Sequence, residues 1–329
     1  MSNATNENVS TMIEGSYPST SAIPRSLAMA VFVMLSILIL AGASGNAYVY
    51  NLLRRRRDLR KVPHYLLGSL SLTGVLTSLF SMSSLLIATI VNYLQVGHSP
   101  VAEILCKVGF PLTIGCVSLD SLNVILMTID RHDCVVRPFS RRLSTQNVQK
   151  ILLFTWLVAF IIAAVLLVLI RKEISVCYAW FPYNQPKAFQ TEQGNFILIY
   201  LATIGQLGML AIVLVIITFL RVVKTLRAPT ILQSTNSSIR QRQERQLTWL
   251  TYGICGNYIL FKLPLLICSM VGFNKELQGT TLNTAMLVIA TMMYSLFVLN
   301  PILHFKIIRV RRPNRVLHVV PQVPQAQID

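Results

Sequence analysis

Apolar residues gather in seven long runs, at about 27–53, 64–93, 104–136, 149–170, 194–223, 245–271 and 281–304. An α-helix needs roughly 20 such residues to cross about 30 Å of hydrocarbon, and every run is long enough. Backbone in lipid must satisfy its own hydrogen bonds, so the pattern predicts an all-α, seven-helix transmembrane bundle. The segments between the runs are short, and function must then reside inside the bundle and at its two ends. The chain divides into an N-terminal segment (1–26), the seven-helix domain (27–304), and a short amphipathic helix with a tail (305–329). Residues 1–24 lack a basic start followed by an apolar core, so the first run is expected to act as an uncleaved signal-anchor.

Seven is odd, so the termini face opposite sides, and Lys and Arg decide which is inside. Arg54 to Lys61, Arg137 to Lys150, Arg221 to Arg245 and Lys306 to Arg315 carry clusters that fall on one side, whereas the opposite segments hold a few isolated basic residues. The C-terminus is therefore expected in the cytoplasm and the N-terminus outside, where the sequons at Asn3 and Asn8 could be glycosylated.

Composition reinforces the membrane reading: 53% of residues are hydrophobic and 12% charged, unlike a soluble domain. A net charge of +17 would suggest nucleic acid in a soluble protein. Here the charges sit between apolar runs rather than along one stripe, so they are read as topological, with anionic membrane lipid as their partner and no nucleic acid. Six cysteines include no CxxC pair, and the five histidines form no HxxxH pattern. No metal site, cofactor or enzyme chemistry is expected from them.

In the third run Cys106 and Arg131 stand 25 residues apart, roughly 37 Å of helix, which puts them at opposite membrane edges. Cys177 is the other cysteine expected in an extracellular segment, so a Cys106–Cys177 disulfide is predicted there, against the alternative of two free thiols. Asp120 precedes Arg131 by eleven residues, about 1100° of turn, and the two share a face that must look inward. In the sixth run Glu244 and Lys262 are 18 residues apart, five whole turns, and share a face as well. Lys262 either meets a buried partner or snorkels to the nearer interface. Pro264 should kink this helix.

Gly45-Asn46, Asp130-Arg131-His132, Trp156 and Asn300-Pro301-Ile302-Leu303-His304 stand in the first, third, fourth and seventh runs, and with them the chain resembles a class A, rhodopsin-like G-protein-coupled receptor over almost its whole length. Gly45-Asn46 resembles the family's GN, Asp130-Arg131-His132 its DRY, Trp156 the single tryptophan of span 4, and Asn300-Pro301-Ile302-Leu303-His304 its NPxxY. The run Asp130 to Pro138 is similar to DRYDxxVKP of a small orphan-receptor group in that family. The resemblance implies a plasma-membrane receptor for an extracellular ligand, with a heterotrimeric G protein as partner. It also implies that Arg131 pairs with Asp130 and Glu244 until span 6 swings outward.

The departures from the family are specific. Ser69-Leu70-Ser71-Leu72-Thr73-Gly74 replaces NLAxAD, so the acid of the common sodium site is missing, while Asp120 lies across the same pocket. Phe261-Lys262-Leu263-Pro264 replaces CWxP, which suggests an Asp120–Lys262 contact, direct or through water. Asn46, Asp120, Lys262, Asn300 and Pro301 are therefore read as a rewired polar switch. His304 replaces the last tyrosine of NPxxY, and span 5 lacks its usual tyrosine and proline. In the ligand pocket, Thr113 stands where amine receptors carry an Asp and Tyr294 where opsins carry the retinal lysine, so a lipid-like or peptide ligand is expected rather than a monoamine. The alternatives are a non-coupling atypical receptor, or a transporter or ion conductor that uses Asp120 and Lys262.

Overall fold

A computed structural model describes residues 24–55, 61–93, 100–137, 142–169, 192–227, 238–272 and 280–310. Among these residues the regular structure is all helical and forms seven spans. Span 1 is Arg25–Arg55. Span 2 combines Val62–Leu76, a π turn Thr77–Met82, and Ser83–Tyr93. Spans 3 to 6 are Pro100–Val136, Thr145–Leu169, Glu192–Arg227 and Ser238–Gly272. Span 7 joins Thr280–Tyr294 to Leu296–Val310 across a turn at Ser295, and its second helix runs on past residue 304. Asn3, Asn8, Cys177 and the tail beyond Val310 lie outside the described residues.

The distribution of side chains is that of a protein in lipid. Leu40, Leu153 and Val168 are about three-quarters exposed, while the charged Asp120, Arg131 and Lys262 are at most 4% exposed. Burial of a charge and exposure of leucine reverse the arrangement that water imposes.

Span 3 is the hub and packs against spans 2, 4, 5 and 6. Small residues set its approach to span 4, since a Cβ on Gly115 would lie 2.9 Å from the Ala159 carbonyl oxygen. Span 1 packs against spans 2 and 7. There Gly45 faces Pro301, whose ring carbons would lie 3.3 Å from an added Cβ.

The π turn in span 2 has a reason in the sequence. Ser69, Thr73, Thr77 and Ser81 recur every fourth residue and are all buried. An α-helix turns 400° in four residues, so such a row drifts about 40° per step. One wider turn absorbs an extra residue and lets the row keep facing the bundle.

The helix of span 6 passes through Pro264 without interruption. Proline removes the donor that would reach the Leu260 carbonyl. Leu260 is on the lipid side, 64% exposed.

Candidate functional site

At one end of span 3, Arg131 is buried against its neighbour. Its Nε donates to Asp130 Oδ2 at 2.9 Å and Nη2 donates to the same oxygen at 2.5 Å. Charge-assisted bonds of this kind are about twice as strong as neutral ones, which suits a guanidinium held at a membrane edge. The side chain of Glu244, the expected second partner, lies outside the described residues.

Eleven residues away, Asp120 is buried on the same face, as the spacing predicted. Lys262 is buried too and points inward, which excludes snorkelling. The two act on each other through space, yet among the described residues no salt bridge joins them. What links spans 3 and 6 is a short relay. The Lys262 ammonium stands over the Tyr258 ring, 5.9 Å from its centroid. Tyr258 shares a hydrogen bond of 2.8 Å with Ser121, the residue after Asp120. A cation within about 6 Å of an aromatic face is attracted by its quadrupole, and more strongly where water is excluded. Among the described residues, Asp120 Oδ1, Asn300 Oδ1 and both His304 ring nitrogens have no hydrogen-bond partner.

Asn46 ties span 1 to span 7. Pro301 has no N–H, so the Phe297 carbonyl one turn earlier loses its helical donor. Asn46 Nδ2 donates to that carbonyl at 2.7 Å and to its own Gly42 carbonyl at 2.8 Å. The same side chain fills the place beside Gly74, where an added Cβ would fall 2.6 Å from Asn46 Cγ. The space that the missing span 2 acid would need is therefore occupied.

A third network crosses spans 2, 3 and 4. Trp156 Nε1 donates to Ser69 Oγ at 3.1 Å, Ser69 donates to Asn123 Oδ1 at 2.9 Å, and Asn123 Nδ2 donates to Thr73 Oγ1 at 3.2 Å. Sequence reasoning reached Trp156 but missed Ser69, Asn123, Ser121 and Tyr258. The signal for Tyr258 was its place one turn before Lys262 on the same face.

The expected pocket residues are core residues in this structure. Thr113 is 4% exposed and its hydroxyl donates to the Gly109 carbonyl at 2.7 Å, while Tyr294 is 1% exposed. Cys106 is disulfide-bonded, and Cys116, Cys255 and Cys268 are free thiols.

Seven apolar helices around a buried Asp-Arg pair and a Pro301 cradle define a polytopic helical membrane protein. Residues 45–304 match the seven-transmembrane receptor (rhodopsin) family, and the chain belongs to that family. It is accordingly a multi-pass protein of the plasma membrane.

Individual relatives are distant. The chain is 25% identical over 144 residues to a 5-hydroxytryptamine receptor 1A-beta of Takifugu rubripes, covering 43% of this chain and 33% of that one. It is 23% identical over 117 residues to a neuropeptide Y receptor type 1 of Xenopus laevis (36% and 31%). It is 27% identical over 132 residues to a cholecystokinin receptor type A of Oryctolagus cuniculus (40% and 30%). The match thus spans about a third of each relative's length.

Proposed function

We propose that this protein carries an extracellular ligand signal to a heterotrimeric G protein by outward movement of span 6. In this reading the N-terminus is outside, the Arg131 end is cytoplasmic, and Cys106 pairs with Cys177 at the outer edge. The observation that carries it is the buried Arg131–Asp130 pair at one end of span 3. Glu244 is assigned as the second acid of that lock. Higher up, the Ser121–Tyr258–Lys262 relay beside Asp120 supplies a second hold on span 6, in place of a bound ion and an aromatic switch.

The ligand is read as a peptide or a lipid-like molecule. Thr113 offers no negative charge to an amine, and its hydroxyl hydrogen is already committed to Gly109. Two of the distant relatives are named for peptides and one for an amine, so their names alone do not decide.

The test is G-protein activation in cells expressing wild type, Arg131→Ala and Lys262→Trp at matched surface levels, first without ligand and then with peptide and lipid panels. Arg131→Ala should abolish the signal with surface expression intact, and Lys262→Trp should change its resting level. A silent wild type under every condition would favour the non-coupling reading.

A further inference from the structure

Asp133 is the one acid in this part of span 3 that the Arg131 pair leaves unused. It is buried, its side chain 3% exposed, although it stands in the last turn of the helix. A buried carboxylate is costly unless hydrogen-bonded, so what it touches identifies what it is for.

Both of its oxygens are engaged. Oδ1 lies 3.3 Å from His132 Nδ1. Oδ2 accepts the backbone N–H of Arg142 at 3.3 Å, and the Arg142 Nε stands 3.9 Å from the same oxygen. The main-chain carbonyl of Asp133 meanwhile accepts the N–H of Arg137 at 3.1 Å. The Arg137 bond is the ordinary last bond of the span 3 helix, whereas the side chain of Asp133 reaches across to Arg142, three residues before span 4.

We infer that Asp133 is a positioning residue whose side chain clips the span 4 end of the span 3–4 connection to span 3, placing Arg142 for docking of the G protein. The second half of this inference rests on the receptor reading above. The Arg142 side chain is 60% exposed, so its ion pair is weak in itself. The backbone N–H, given to a buried charge, is the stronger tie. At 3.3 Å it lies just beyond the usual N–H···O range, which suits a clip that can open. A residue held in place in advance spends less ordering entropy on its partner than a free one.

The test uses purified full-length protein in detergent. Hydrogen exchange is followed at the Arg142 amide, and nucleotide exchange on a panel of purified G-protein heterotrimers, in wild type, Asp133→Leu, Asp133→Asn, Arg142→Ala and Arg142→Pro. Asp133→Leu removes the acceptor and should speed Arg142 exchange about tenfold. It should also cut nucleotide exchange several-fold. Asp133→Asn keeps a carbonyl acceptor and Arg142→Ala keeps the backbone donor, so both should stay near wild type. Arg142→Pro deletes the donor and should match Asp133→Leu in nucleotide exchange, which keeps the test alive if the leucine variant does not fold.

Unchanged Arg142 exchange in Asp133→Leu overturns the clip. Faster amide exchange with full nucleotide exchange overturns the positioning role. Arg131→Ala serves as the coupling control. If neither it nor wild type activates any heterotrimer, the receptor reading falls and the positioning role with it, while amide exchange still decides the clip.

Discussion

Asn46 shows how one side chain compensates for two departures from ordinary helix chemistry. It satisfies the carbonyl that Pro301 strands, and its bulk is accommodated because residue 74 has no side chain. Gly74→Ala should therefore overpack this contact, cost about 1–3 kcal/mol, and lower the thermal unfolding temperature in detergent. Gly74→Asp, which restores the family's acid, should be worse alone than with Asn46→Ala, and equal melting of the two proteins would refute the account. At Asp120 and Lys262 the expected pattern is coupling. Either Asp120→Asn or Lys262→Met leaves a buried charge without its counter-charge, and the double variant should be more stable than the sum of the two by about 1 kcal/mol. Additive melting shifts would mean that the charges do not sense each other. The inward face of Asp120 and Arg131 was legible from helical spacing alone. Lys262 was legible as one of two fates, because a lysine stem can bury its ammonium or carry it to the interface. The Ser121–Tyr258 bond was not legible, since it depends on how spans 3 and 6 meet.

At the scale of elements, span 2 gives the sharpest prediction. A π turn is an α-helix with one residue inserted, so removing a residue there restores regular geometry without rotating the flanks. Deleting Leu79, which lies in the turn and is 49% exposed, should leave surface expression close to wild type. Deleting Leu86 from the regular turns beyond should rotate one flank by about 100° and abolish expression. Equal loss in both, read by surface labelling, would count against this view of the turn. The apolar runs located all seven spans, and the discrepancies fall at their ends. Span 6 starts at Ser238 rather than near 245 because arginine and glutamine favour helix without being apolar. Span 7 likewise continues through Lys306 and Arg309 to Val310. A hydrophobic run reports where lipid begins, whereas backbone hydrogen bonding decides where the helix begins.

For the whole molecule, the polar layer at the level of Asp120 differs from the family's usual design in what it leaves open to the surroundings. The place beside Gly74 is filled by Asn46, and the cation near Asp120 belongs to the chain itself. Resting signal measured in sodium buffer should therefore equal that in a buffer where choline replaces sodium at constant ionic strength. A clear change in resting signal would show that a free ion still reaches the core. Lys262 thus brings a consequence for physiology: a tethered charge cannot be diluted or exchanged, so the resting state is set by the gene and not by the salinity of the medium.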